Sequence, residues 1–542
     1  MSSSKKEKEL DALIIDGYVD EPSQLGVPPY LSPEPRYTAG MLEKNRQNWQ
    51  YKTIDQIRQT KISKTKNLLV YGGVTVPGNY LGGKPLTKQE AKKLAKTPAT
   101  TYLAGPLARY QDIPGYDYKI KKDLSASFND HLNGNRTDRW KTQKEREQWT
   151  QNSTKIIKKH PTPKKALMIE IELYRGCPRY YKDGCSFCTE PYYGKPVFRE
   201  QKDVSEEIQA YNKKGVTHFR IGAQSCTISY KAKHIGEKDP PTPRPQEIKK
   251  LFKQIWRKTP TLEVLHLDNA NPAIIAKHPN KSQKIIKTLV KKTTPGNVLA
   301  LGLETADKEI IQKNNLNTTP QQTHRAIELI NKHGKQRGKN GLPKLLPGLN
   351  FLSGLHGETK QTYQKNHEFL KKIKKQNLWL RRTNIRKVLS RKQKFKLELE
   401  HKREHHRFKQ KTRQQIDKPM LKKIAPTATT LKNVYIEKTT QNQSLGRQIA
   451  TYPLLIKIPN KLPKNTFQNI AITDHKPRSL RGIKHPLKIN QASYQQIKNL
   501  PYTNNKKAAE LFQNKPITTE KLKKTYNKQE LKKIQKITKT NP

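Results

Sequence analysis

Three of the four cysteines fall in one short stretch, Cys177-x7-Cys185-x2-Cys188, directly after the apolar residues 167–173. The apolar run reads as a buried strand, so the chain must build a sheet with a strand that ends in a loop of thiols. Thiolates are soft ligands for iron–sulfur clusters or zinc, and close spacing lets one loop present all of them. A closed zinc site wants four ligands and usually pairs two Cys-x2-Cys knuckles. Here there is one such pair, and His218 or Cys226 would have to supply the fourth ligand. Three thiolates leave one iron of a [4Fe–4S] cluster open to a small molecule. A disulfide scaffold does not fit four cysteines in 542 residues.

The flanking pattern predicts α/β architecture throughout. Residues 12–17, 67–73 and 100–106 are apolar runs ending in glycine, with a helical stretch at 88–96, as in an open, Rossmann-like sheet. Ligands approach such sheets at the carboxyl ends of the strands, where Gly17, Gly72, Gly73 and Gly105 lie, although glycines also simply turn a chain. From 165 to 386, strands at 216–221, 264–267, 298–303 and 345–352 alternate with helices at 204–213, 246–258 and 321–333. Such βα repeats imply a parallel sheet or a full or partial barrel. The expected domains are an N-terminal α/β domain (1–110), a polar connector (111–164), the βα core (165–386) and a basic helical linker (387–425). A small β-rich module (426–490) and a helical tail (491–542) follow.

The linker, with Lys402, Arg403, His405, His406 and Arg407, is expected to be a solvated connector or a phosphate-tracking surface. Strands are predicted at 433–437 and 453–458, and basic loops at 444–448 and 477–482. Residues 494–512 have the helix, short turn, helix pattern of a helix-hairpin-helix, which grips phosphate through backbone N–H groups. Its turn, 501–505, lacks glycine and relies on Asn504 and Asn505 for any left-handed residue. Lys and Arg outnumber Asp and Glu by 108 to 45, a net charge of +63 that makes a polyanion the default partner. A compositional drift that puts lysine on every solvated face would give the same number. Residues 1–10 are charged and no long apolar run follows, which predicts a cytoplasmic protein without a membrane partner.

The cysteine loop resembles that of the radical S-adenosylmethionine (radical-SAM) superfamily, where three cysteines after the first barrel strand bind a [4Fe–4S] cluster. The usual spacing there is x3 then x2, whereas this chain has x7 then x2. Residues 299–307 (LALGLETAD), 313–317 (KNNLN) and 349–359 (LNFLSGLHGET) resemble successive motifs of its methylthiotransferase-like branch, with His356 where that branch has proline. Asp16-Gly17-Tyr18, residues 27–30 (VPPY), 71–78 (YGGVTVPG) and 268–272 (DNANP) resemble an uncharacterised archaeal radical-SAM family with a C-terminal helix-hairpin-helix. The resemblance implies that Cys177, Cys185 and Cys188 hold the cluster and that Phe187, Gly302, Glu304, Gly354 and Gly357 line the S-adenosylmethionine site. It also implies an enzyme that takes one electron from a donor and cleaves the cofactor reductively to a 5′-deoxyadenosyl radical. Joined to the charge, this makes nucleic acid, RNA foremost, the expected substrate. Alternatives are radical chemistry on a protein or small molecule, or a non-enzymatic nucleic-acid-binding protein with structural zinc. No cysteine precedes Cys177 and no histidine lies in 16–25, so neither a second cysteine-bound cluster nor a histidine-ligated cobalamin is expected in the N-terminal domain. Cys226, just past a strand, is expected to be a buried small apolar residue.

Overall fold

The computed structural model describes residues 9–19, 24–73, 80–388 and 399–540, so residues 74–78 of the YGGVTVPG motif lie outside the described residues. The chain divides into two compact units. The first holds residues 1–177, 193–230 and 246–265, and the second holds 178–192, 231–245 and 266–542.

In the first unit, the near-continuous apolar runs Leu10–Asp16, Thr65–Tyr71 and Thr100–Ala104 are buried strands of a five-stranded parallel sheet. Trp49–Thr53 flanks Leu10–Asp16 on the other side, and Tyr118–Lys119 closes the far edge. Consecutive connections leave Leu10–Asp16 in opposite directions, which opens a crevice at the carboxyl ends of the strands. Asp16 and Gly17 close the first strand. The Asp16 carboxylate accepts the Tyr18 N–H at 2.8 Å and the Tyr51 O–H at 2.8 Å.

A second sheet runs in the order Val264–Leu267, His218–Gly222, Met168–Glu172, Tyr30–Leu31, the last three strands parallel. The N-terminal segment thus contributes a strand to the sheet that leads into the cysteine loop. A buried ion network reinforces the link. Arg36, on helix Pro33–Lys44, pairs with Glu207 on helix Gln201–Lys213 and reaches the carbonyl of Glu170. Arg199 contacts Glu207 and Asp203, each at 2.6 Å, and Arg220 pairs with Glu170.

The second unit is built on a parallel sheet of Asn269–Ala270, Asn297–Glu304, Leu345–Ser353 and Arg382–Lys387. The basic run after it packs through one face and leaves Lys402, Arg403, His406 and Arg407 exposed to solvent. Helix Leu399–Thr412 buries Phe408, which meets Phe351 edge-on at 5.5 Å, and His405, which hydrogen-bonds Ser353 Oγ at 2.9 Å.

Residues 430–484 form a closed five-stranded barrel. The segments read as basic loops are strands of it, Ser444–Gln448 and Ser479–Lys484. Their glycines admit close neighbours: a side chain at 446 would meet Val434 at 2.8 Å, and one at 482 would meet Ile470 at 2.5 Å. Four helices follow, Tyr494–Lys498, Asn505–Gln513, Thr519–Thr525 and Lys528–Ile537. They bury Ile497, Leu511 and Ile534 with Ile483 and Leu487. The first helix has only five residues, and the Asn504 side chain itself accepts the Lys507 N–H at 2.9 Å, so these elements do not establish a helix-hairpin-helix. Among the described residues, no helix is long and apolar enough to cross a membrane.

Candidate cluster and cofactor site

Local backbone chemistry shapes the cysteine loop in each unit. In the first, Met168–Glu172 runs into the short strand Tyr174–Arg175, which pairs antiparallel with Val197–Phe198 and delivers Cys177. The residue before it, Gly176, has φ +103°, and a side chain there would come within 2.5 Å of Gly194 O. The Cys177 N–H donates to that same carbonyl at 3.4 Å. In the second unit Cys185 follows Gly184, at φ +63°, where a side chain would meet Pro191 at 2.5 Å. Both glycines occupy left-handed backbone that other residues enter only with strain.

Cys185 and Cys188 are half-buried, and the Cys188 N–H donates to Cys185 O at 3.0 Å. Desolvation, reinforced by the neighbouring Cys188, pushes the Cys185 thiol up to about 12, partly opposed by Arg179. Such a thiol is a poor nucleophile at neutral pH and becomes a thiolate when an iron cluster takes the proton's place.

The loop is clamped to residues 314 and 315. Ser186 Oγ donates to Asn314 Oδ1 at 2.9 Å, and Asn315 Nδ2 donates to the carbonyls of Lys182 and Gly184 at 2.9 and 2.6 Å. Arg179 completes the clamp. It contacts Asp239 at 2.8 Å, Asn315 O at 2.8 Å, Asn315 Oδ1 at 3.0 Å and Cys185 Sγ at 3.6 Å. Sequence reading quoted Asn314 and Asn315 only as motif letters and missed Arg179 and Asp239. The available signal was that Arg179 sits in the lengthened spacing between the first two cysteines.

The residues expected around S-adenosylmethionine gather beside this loop. Phe187 is partly buried against Ile310, Leu355 and Val388, together with Leu316 and Leu352. Glu304 ends its strand at φ +67°, and desolvation raises its carboxyl to about 7 although Arg386 opposes the shift. Gly302 leaves room for that carboxylate, since a side chain there would lie 2.8 Å from Glu304 Oε1. The Gly354 N–H donates to Glu358 Oε2 at 2.6 Å, and desolvation lifts Glu358 to about 7 as well. Gly357, at φ +80°, packs against Lys313, and His356 N donates to Asn314 Oδ1 at 3.1 Å. The 349–359 turn and the 313–317 segment are thus held together.

Among the described residues, no three His, Cys, Asp or Glu side chains converge on a single-ion site. Within the second unit, Cys185 and Cys188 are soft sulfurs of one loop, and a charged N–H of Arg179 is aimed at the first of them, a chemistry that suits cluster ligands. Cys226 is 3% exposed and its N–H donates to Tyr174 Oη at 3.0 Å, as befits a buried small residue. His218 lies 3.3 Å from Glu263. Within the first unit, a cavity of about 150 Å³ opens at the carboxyl ends of the N-terminal strands, lined by Tyr71, Ala104, Gly105, Arg146, Glu172 and Arg175.

Comparison with known proteins agrees with this geometry. The Radical SAM superfamily model matches residues 171–370, which include all three loop cysteines and the 299–307 and 349–359 motifs. An uncharacterized protein of Methanocaldococcus jannaschii is 40% identical over 87% of this chain and 92% of its own length. Another, from Archaeoglobus fulgidus, is 37% identical over 94% of this chain and 96% of its own. The chain is also 27% identical, over 40% of its length and 44% of the relative's, to a tRNA-2-methylthio-N(6)-dimethylallyladenosine synthase of Buchnera aphidicola. The chain belongs to the radical SAM superfamily, as an enzyme of the kind that uses a [4Fe–4S] cluster and S-adenosylmethionine, and it shares nearly its full length with archaeal relatives.

Proposed function

We propose that this enzyme modifies RNA. The observation that carries the reading is a polar groove in the second unit, open to solvent and about 670 Å³ in volume. Lys457 and Arg481 of the barrel and Lys498 of the first tail helix line it, with the amides of Gln441, Asn442 and Gln443. Cations interspersed with amides suit phosphates and the edges of unpaired bases. The tail also exposes two aromatic rings beside cations: Lys533 lies 5.2 Å over Tyr502, and Lys515 lies 4.7 Å over Phe512. Rings beside cations stack bases without demanding a sequence. The net charge of +63 strengthens encounter with any polyanion, and the tRNA named for the Buchnera relative gives RNA a precedent among similar chains.

When bound, the cluster and S-adenosylmethionine supply one-electron cleavage of the cofactor and a carbon radical that takes hydrogen from the substrate. The protein's own residues do the remaining work. Cys177, Cys185 and Cys188 would hold the cluster, and Glu304 and Phe187 with its apolar neighbours would bind S-adenosylmethionine and exclude water from it.

The test is binding of total tRNA by the full chain across a salt series. Three neutralised phosphates give a slope of log affinity against log salt of roughly −2 to −3 from this groove alone. The variant Lys457→Gln/Arg481→Gln/Lys498→Gln should flatten the slope by about 3 or somewhat less. Absence of binding at low salt, or binding indifferent to the triple substitution, overturns the reading.

A further inference from the structure

We propose that Arg179 is a positioning residue for the cluster, and that the lengthened Cys177-x7-Cys185 spacing exists to deliver its guanidinium to the Cys185 sulfur. The geometry is over-determined. Arg179 is 7% exposed, and every side-chain nitrogen has a partner: Nε on Asp239 at 2.8 Å, Nη2 on Asn315 Oδ1 at 3.0 Å, Nη1 on Asn315 O at 2.8 Å and on Cys185 Sγ at 3.6 Å. Asp239 takes the far edge of the guanidinium, so the pair turns its positive end toward the sulfur. Asn315 holds both sides of the arrangement, since it accepts from Arg179 and donates to the carbonyls of Lys182 and Gly184 on either side of the loop's left-handed Asp183. The turn Tyr180–Lys182 that follows Arg179 lies entirely within the extra length.

The consequence is electrostatic. Reduction from [4Fe–4S]²⁺ to [4Fe–4S]⁺ by an external one-electron donor adds one negative charge, spread over the cluster and its sulfur ligands. A cationic N–H on one ligand stabilises the reduced state more than the oxidised one and raises the reduction potential. Arg179 thereby eases electron entry whatever the enzyme's substrate, so this inference stands apart from the RNA reading.

The experiment is EPR-monitored titration with dithionite of the reconstituted full chain, comparing wild type, Arg179→Gln and Arg179→Lys, with iron content measured on each. In Arg179→Gln the ratio of reduced to oxidised cluster at a fixed potential should fall about tenfold, ~59 mV for a one-electron couple. Arg179→Lys keeps the charge without the fork and should shift the same way by less. Where glutamine costs the loop its iron, the lysine variant decides. A potential equal to wild type in every variant that retains the cluster overturns the proposal and leaves Arg179 a purely structural clamp.

Discussion

Replacing Arg199 by alanine should destabilise the first unit severely, and the size follows from its surroundings. Arg199 and Glu207 are fully buried and Asp203 nearly so, and Arg199 also donates to the carbonyl of Glu172 at 3.0 Å. Removing the guanidinium leaves Asp203 without a paired cation in this contact and Glu207 with Arg36 alone. Breaking a buried pair in this way costs about 3–5 kcal/mol, most of it the penalty of an uncompensated charge. For a unit of this size each kcal/mol moves Tm by about 2–4 °C, so the loss is roughly 6–20 °C. Circular dichroism melts of wild type and Arg199→Ala give the comparison. The pH dependence supplies a second readout. Desolvation opposes it, but Arg199 and Arg36 hold the Glu207 carboxyl below its usual range. A depressed carboxyl contributes stability that is full above the unfolded value near pH ~4.3 and is lost as pH falls through the lower folded value. The variant should therefore lose much of that acid-side dependence. A cost below about 1 kcal/mol, the scale of an exposed pair, would refute the view of the network as dry and mutually compensated.

Three further outcomes are expected. Glu304→Gln should weaken S-adenosylmethionine binding about tenfold, ~1.4 kcal/mol, measured by calorimetry. Because the Glu304 carboxyl sits near 7, wild-type affinity for the cationic cofactor should rise as pH rises through that value and level off above it, and the glutamine variant should lose this rise. Gly176→Ala, which forces a side chain onto Gly194 O at positive φ, should lower iron retention several-fold after reconstitution while circular dichroism stays near wild type. The triple substitution at Lys457, Arg481 and Lys498 should spare cofactor cleavage without substrate and reduce tRNA retention at moderate salt.

How much of this was legible in the sequence depends on burial. Strands buried on both faces, such as Val264–Leu267 and Leu345–Ser353, announce themselves as apolar runs, and their predicted bounds fall within a residue of those observed. Trp49–Thr53 and Arg382–Lys387 lie at sheet edges with one face partly wet, and WQYKT and RTNIRK carry too little apolar sequence to stand out. The barrel strands Ser444–Gln448 and Ser479–Lys484 were hidden by glycines, which signal turns locally but here admit the neighbouring strand. At the site, residue types and spacing named the thiols, because soft ligands in one loop suit little other chemistry. Arg179 and Asp239 were invisible for the opposite reason: they are distant in sequence, and only the folded loop brings them together.

The reading of the chain as a cluster-bearing enzyme is tested by anaerobic reconstitution with iron and sulfide, followed by EPR of the dithionite-reduced protein with and without S-adenosylmethionine. A [4Fe–4S]⁺ signal that changes on adding the cofactor and disappears in Cys185→Ala is the expected result. Zinc as the only bound metal, or a cluster indifferent to S-adenosylmethionine, would contradict it.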